Sequence, residues 1–155
     1  MRIQIRRATS DDAAAVAKLA AELAQSFAFS QEKFEVSYPS LVNAEDACLL
    51  LAESDGDGDP VGYLLGFRHL TFYANGPVGW VEEIEVDSGH RGDGIGRALM
   101  TAFEQWAAGC GCTLVALATR RAVPFYRALG YEESAVYLRK ILLSSGRTRR
   151  MKLRS

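Results

Sequence analysis

Three closely spaced glycines, Gly92, Gly94 and Gly96, lie between a strand-like stretch and a stretch with the apolar spacing of a helix. Glycines at the start of a helix leave backbone N–H groups free to point into one concavity, with the positive end of the helix dipole behind them. Such a concavity binds phosphate groups. The spacing fits neither a Walker loop, since no Gly-Lys pair occurs, nor the G-x-G-x-x-G of a dinucleotide-binding turn.

The rest of the chain supplies the elements that must position this loop. The predicted strands cover residues 3–6, 47–54, 61–72, 79–87, 112–119 and 134–142. The predicted helices cover residues 9–27, with Ser10 as the cap, 97–108 and 122–130. A further helix, broken around Pro39, is predicted within 30–46. Short turns between the early strands predict antiparallel pairs, and the helical crossover after 79–87 predicts a parallel pair. We therefore expect an α/β (α+β) fold with a single mixed sheet of six to seven strands and helices on both faces.

Length and charge suggest one domain over residues 1–143 and a basic tail over 144–155. From Arg139 onward there are seven Lys or Arg residues and no acid, whereas the rest of the chain has 11 basic and 19 acidic residues. The tail has no aromatic side chain to stack on a base, so we do not expect a nucleic-acid partner.

Hydropathy and cysteine content narrow the class further. No apolar run reaches the roughly 18 residues that span a membrane, and the first residues lack the apolar core of a signal peptide. We therefore expect a cytoplasmic protein with no membrane partner. The odd, sparse cysteines, Cys48, Cys110 and Cys112, predict free thiols and no metal site.

Two motifs in the right order carry a family resemblance. Arg91, Gly94 and Gly96 fit [QR]-x-x-G-x-[GA], and "AVPFYRALGY" (122–131) fits A-x-x-F-Y-x-x-x-G-[FY]. With the strand "EEIEVD" upstream and a matching element order, the chain resembles the GNAT superfamily of acetyl-CoA-dependent N-acetyltransferases from end to end. The resemblance implies a GNAT-like acyltransferase fold and direct transfer of an acetyl group from acetyl-CoA, the cosubstrate, to a primary amine, with no metal. One departure is Thr119, where the family often has asparagine; its hydroxyl can form a hydrogen bond but has a shorter reach than that amide.

The resemblance also implies catalytic roles. Glu82 best matches the family's acidic base and would act directly or through a water, with Glu83 as the runner-up; either carboxylate could instead bind a cationic amine. Strict strand alternation puts Glu82 on one face and Val81, Glu83 and Glu85 on the other. Tyr126 matches the family's acid for the departing thiolate, provided that the pKa of its phenol falls below the usual ~10.

The implied acetyl-CoA contacts follow from the same motifs. A main-chain N–H within the stretch of Ile84, Glu85 and Val86 would donate to the oxyanion. The remaining predicted contacts are Arg91, Gly92, Asp93, Gly94, Ile95, Gly96, Arg97, Thr119, Phe125 and Tyr126. Arg120 or Arg127 could meet the 3′-phosphate.

The amine itself is less constrained. Phe27 and Phe29, with Glu82 and Glu83, predict a site for a cationic amine that has an apolar part. A small-molecule amine is the first hypothesis, a protein N-terminus or lysine the second, and a non-catalytic acetyl-CoA-binding module the third. A homodimer is also possible.

Overall fold

The computed structural model describes residues 2–24, 27–55 and 58–143. Its strands are β1 (Ile3–Arg7), β2 (Ala47–Ser54), β3 (Pro60–Thr71), β4 (Gly76–Val86) and β5 (Val115–Leu117), and its α-helices are α1 (Ala13–Leu23), α2 (Gln31–Asn43), α3 (Ile95–Gly109) and α4 (Val123–Ala128). The basic tail predicted for 144–155 lies outside the described residues.

The strands form one mixed sheet in the order β1-β2-β3-β4-β5. Neighbours pair antiparallel from β1 to β4, and β4 pairs parallel with β5, where Trp80 lies opposite Ala116. The predicted mixed sheet and both predicted pairing directions are therefore confirmed.

Alternating apolar residues of the sheet build a core on each face. Leu50 points to one core with Phe103 of α3, whereas Leu49 and Leu51 point to the other with Val16 of α1. This alternation places α3 on one face and α1 and α2 on the opposite face, as predicted.

The described residues form five strands, not the predicted six to seven, and the strand predicted for 134–142 is wrong. This segment has a strand-like sequence, but it pairs with none of the five strands that the described residues form. Val136 and Leu138 are each 85% exposed. A β-strand exists only when it is paired, so propensity alone could not decide this element.

The helix predicted to break at Pro39 is continuous. Ser30 caps α2 by accepting a hydrogen bond from the backbone N–H of Lys33 at 3.3 Å. Tyr38 is buried, and its hydroxyl donates to the carbonyl oxygen of Thr9 at 2.6 Å. Tertiary packing of this kind offsets the N–H that proline lacks.

The first helical segment is capped by Thr9, not by the predicted Ser10. The Thr9 hydroxyl accepts from the N–H of Asp11, and the Asp12 carboxylate accepts from the N–H of Thr9 at 2.7 Å, which together make a capping box. Hydrogen bonds from Arg6 at 2.8 Å lower the pKa of Asp12 to about 2. The cap is therefore also tied to β1.

A β-bulge interrupts β4 at Glu82. Leu65 pairs with Glu83 and Gly66 pairs with Val81, so that Glu82 has no partner on β3. A bulge adds one residue to one strand and breaks its alternation.

The bulge overturns the predicted faces of β4. Val81 packs in the core beneath α3, whereas Glu83 and Glu85 lie opposite Leu65 and Tyr63, whose side chains belong to the core beneath α1 and α2. Grouping Val81 with these glutamates was wrong because it assumed an unbroken period of two.

Candidate active site

A cleft of about 1620 Å³ opens where β4 and β5 diverge. The two strands pair only from Gly79 to Val81 on β4, and β5 ends at Leu117 while β4 continues to Val86. The cleft runs from the segment between α1 and α2, across the end of β4, to the start of α3 and to α4. The parallel pair with its helical crossover creates this opening at the carboxyl ends of the two strands.

The cleft brings together nearly all the predicted site residues. Its walls include Phe27, Phe29, Glu82, Glu83, Ile84, Glu85, Val86, Arg91, Gly92, Gly94, Ile95, Gly96, Arg97, Thr119, Phe125 and Tyr126. Asp93 is exposed and does not line the cleft.

Glu82 presents an exposed carboxylate at the bulge. The indole Nε1 of Trp80 donates a hydrogen bond to its Oε2 at 2.7 Å. The side chain therefore has a fixed partner and still reaches solvent in the cleft.

Glu83 and Glu85 are held more firmly. The Tyr63 hydroxyl donates to Oε1 of Glu83 at 2.8 Å, and burial raises the pKa of Tyr63 far above its usual value, so it remains a donor. Glu85 is 8% exposed and accepts from Nη2 of Arg91 at 2.9 Å. The positive charge of the guanidinium compensates the negative charge of this buried carboxylate.

The Arg91 side chain turns back onto β4 and anchors the loop. Besides its bond to Glu85, its Nε donates to the carbonyl oxygen of Val86 at 3.4 Å. Two of its three guanidinium nitrogens are thus engaged on β4, and the predicted phosphate contact is the backbone N–H of Arg91.

The glycine loop has the conformation that an anion cradle requires. Gly92 and Gly94 have φ of 86° and 81°, and a Cβ at either position would meet no other atom within 4 Å. Gly94 is the N-cap of α3, whose first turn leaves N–H groups without helical partners. Ile95 is buried, so its side chain anchors the helix and only its N–H can face a ligand.

Gly96 and Phe125 join the start of α3 to α4. A Cβ on Gly96 would lie 3.2 Å from Cζ of Phe125. The absence of a side chain at this helical position therefore lets the Phe125 ring approach the loop.

Tyr126 is buried and lies at the wall of the cleft formed by α4. Its ring meets Phe125 edge-on at 5.0 Å and Tyr131 at 5.9 Å. Its hydroxyl makes no hydrogen bond to a described residue. Burial raises the pKa of the phenol, whereas the predicted acid role required a lowered pKa.

The Thr119 hydroxyl is already engaged, since it accepts a hydrogen bond from the N–H of Ala122 at 3.1 Å. This bond holds the turn that leads into α4. Thr119 lines the cleft, but its side-chain oxygen is bonded to the backbone of the α4 turn.

Aromatic rings line the end of the cleft near the start of α2, which we call the aromatic end. Phe29 packs on Phe34 there with ring centroids 5.7 Å apart. Sequence reasoning did not assign Trp80 and Tyr137 to the site, and their rings stack with centroids 6.4 Å apart and an interplanar angle of 23°. The two-residue spacing from Trp80 to Glu82 was a signal that could have marked Trp80. Nothing in the sequence placed Tyr137 beside it.

The two ends of the cleft differ in charged side chains. Glu82 and Glu83 of β4 lie near the aromatic end, and Arg97, Arg120 and Arg121 line the end near α3 and α4, while Lys33 of α2 and Arg139 also line the cleft. Arg127 instead pairs with Glu133 at 3.1 Å, which leaves Arg120 as the better placed of the two predicted 3′-phosphate ligands. The three arginines suit a phosphorylated ligand, and the two β4 carboxylates suit an amine.

Two kinds of feature are absent from the residues that the structure describes. Three or more His, Cys, Asp or Glu side chains grouped to hold a metal ion do not occur in this part of the chain. No helix within it is long and apolar enough to cross a membrane.

Comparison with known proteins agrees with this geometry. Residues 14–131 match the acetyltransferase (GNAT) family. An aminoglycoside N(6′)-acetyltransferase type 1 of Stenotrophomonas maltophilia is 36% identical over 146 residues, with 87% of this chain and 91% of the relative covered.

Solved structures of similar fold include glucosamine-6-phosphate N-acetyltransferase from Arabidopsis thaliana, with a TM-score of 0.79, 20% identity, and 92% of this chain and 99% of that chain covered. AAC(6′)-Iy in complex with the bisubstrate analog CoA-S-monomethyl-acetylneamine has a TM-score of 0.76 and 21% identity, with 91% and 99% covered. At these identities the likeness shows the fold alone. The family match and the Stenotrophomonas relative together establish that the chain belongs to the GNAT family and is an acetyl-CoA-dependent N-acetyltransferase.

Proposed function

We propose that this enzyme acetylates a primary amine of a cationic amino sugar of the aminoglycoside class. The observation that carries the proposal is a single cleft with carboxylates and aromatic rings at one end and a cationic, N–H-lined loop at the other. An aminoglycoside offers several ammonium groups on apolar-faced rings, which suits the first end. The activity in the name of the Stenotrophomonas relative supports the same class.

Glu82 is the proposed base. A lysine-like ammonium of pKa ~10.4 must lose a proton at a cost of about 4–5 kcal/mol at pH 7. Its exposed carboxylate can take that proton directly or through a water, and only one of its oxygens is bonded to Trp80. Glu83, whose Oε1 is held by Tyr63, is better suited to attracting the ammonium group.

Main-chain donors serve the acetyl carbonyl in this proposal. Beyond Val81, β4 no longer pairs with β5, so the edge of Ile84, Glu85 and Val86 faces the cleft instead of a neighbouring strand. Fixed N–H dipoles in such a site stabilise the negative charge that develops on oxygen without reorganising.

Tyr126 is proposed to donate a hydrogen bond to the departing sulfur. Because burial raises the pKa of the phenol, its neutral donor form persists to higher pH than that of an ordinary tyrosine. Complete transfer of its proton to a thiolate of pKa ~8.5 is uphill. We therefore propose a donor that stabilises the thiolate until solvent protonates it, in place of a full acid.

The acetyl-CoA contacts are proposed from the loop outward. The N–H groups from Arg91 to Gly96 would hold the pyrophosphate, and Arg97 and Arg120 would add positive charge. The open space at Gly92 and Gly94 fits a diphosphate that approaches the backbone closely.

A thiol-release assay across amines tests the acceptor. We expect kcat/KM for aminoglycosides with a 6′-amine to exceed that for lysine peptides and peptide N-termini by about 100-fold or more, a difference of ~2.7 kcal/mol in transition-state binding. The matched control is an aminoglycoside with a hydroxyl at the 6′ position. Faster transfer to peptides would favour the protein-acetyltransferase alternative and overturn the proposed substrate class.

A homodimer stays a prediction, and we propose that residues 132–143 contribute to it. Val136, Leu138 and Leu142 are each 85% exposed, and the outer edge of β5 pairs with no described strand. Light scattering should give twice the 17.0 kDa chain mass, and Leu138→Lys should lower it. A measured mass equal to that of one chain at micromolar protein concentration would contradict the proposed dimer. A cytoplasmic location also stays a prediction.

A further inference from the structure

The hydrogen bond between Trp80 and Glu82 crosses the β-bulge of β4. The indole Nε1 donates to Oε2 of Glu82 at 2.7 Å. This bond engages Oε2 and leaves Oε1 of the exposed side chain outside the Trp80 pair.

Because Glu82 lies at the bulge, its carboxylate needs this hydrogen bond to keep one orientation. Glu82 lacks a cross-strand partner on β3, and its side chain is exposed. A free glutamate would distribute over many rotamers, most of which point the carboxylate away from one chosen spot. A single strong donor at the bulge selects one of them.

The donor is itself held in place. Tyr137 stacks on the Trp80 ring at 6.4 Å and 23°, and Phe67 lies directly opposite Trp80 on β3. Phe67 in turn packs against the core beneath α1 and α2. The indole therefore has Phe67 of β3 as its cross-strand neighbour and Tyr137 as its stacking partner.

We propose that Trp80 is a positioning residue for acetyl transfer, whose indole N–H holds Oε2 of Glu82 so that Oε1 remains directed to the amine or its relay water. This inference rests on the proposed role of Glu82 as the base. A phenylalanine at position 80 would keep an aromatic ring in the wall but would lose the donor.

The test is a double-mutant cycle on the best aminoglycoside acceptor. Trp80→Phe should lower kcat by roughly ten- to a hundredfold, the scale of a lost hydrogen bond to a charged group, and should leave acetyl-CoA affinity unchanged. In the Glu82→Gln background the same substitution should cost less than about twofold, because a donor that acts through the carboxylate has no further effect once the base is gone.

Tyr137→Leu is the matched control, since it removes the stacked ring and keeps the indole N–H. We expect it to lower kcat less than Trp80→Phe does. Equal losses in the two variants would assign the effect to aromatic packing and overturn the proposal, as would a Trp80→Phe loss that is the same in both backgrounds. If Glu82→Gln alone leaves kcat unchanged, the base assignment fails first and this inference falls with it.

Discussion

Glutamine in place of Glu82 should lower kcat by roughly 10²- to 10⁴-fold, the range that a positioned general base contributes. The substitution keeps the size of the side chain and an oxygen that can accept from Trp80, but it removes the ability to take up a proton. Glu82 is exposed, so the fold should not suffer. Steady-state kinetics on the best acceptor would measure the effect, and acetyl-CoA affinity should be unaltered.

Glu83→Gln is the matched control for this result. The neighbouring carboxylate shares the cleft but is held by the Tyr63 hydroxyl at 2.8 Å. We expect a raised KM for the cationic amine and little change in kcat, because this variant weakens attraction of the amine and leaves the proposed base intact. The reverse pattern, with kcat lost in Glu83→Gln and retained in Glu82→Gln, would move the base to Glu83.

Aspartate in place of Gly94 should weaken acetyl-CoA binding by about 100-fold or more, or ~2.7 kcal/mol. The new carboxylate would project into the open space at the N-terminus of α3, where the pyrophosphate must come close. Its negative charge would both repel the diphosphate and occupy the N–H groups that would otherwise bind it. Calorimetric titration with CoA would measure the loss.

The structure offers a closely matched control for backbone strain. Gly111 has the same φ of 81° and the same open surroundings, but it lies in the turn after α3 and does not line the cleft. Gly111→Asp should therefore lower thermal stability through the same backbone strain, with a further loss because its carboxylate meets the negative end of the α3 dipole, and should leave CoA affinity intact. Gly94→Asn, which tolerates positive φ and carries no charge, should bind CoA better than Gly94→Asp. Undiminished CoA binding by Gly94→Asp would refute the loop assignment.

The loop and the second motif could be read from the sequence because their physics is local. Gly92 and Gly94 adopt positive φ within their own turn, and α3 begins directly after them. Tyr126 follows Phe125 on a short helix that is also defined by neighbouring residues. Local features of this kind pointed to the family and to acetyl-CoA, both of which the comparisons support.

The sheet was predictable in outline for a related reason. Apolar alternation and turn lengths decide which consecutive strands pair and in which direction, and all the pairing directions expected between β1 and β5 occur. The strand prediction for 134–142 was wrong because alternating apolar residues form a strand only when the segment pairs with the edge of a sheet.

By itself, then, the sequence determined the family, the glycine loop before α3 and most of the residues that meet in the cleft. Tertiary structure alone decided how those residues are held. The bulge at Glu82 depends on the register between β3 and β4, the turn of Arg91 onto Glu85 depends on burial of that carboxylate, and the stack of Tyr137 on Trp80 joins positions far apart in the chain. Register and burial arise from contacts between distant segments, and no local pattern encodes them.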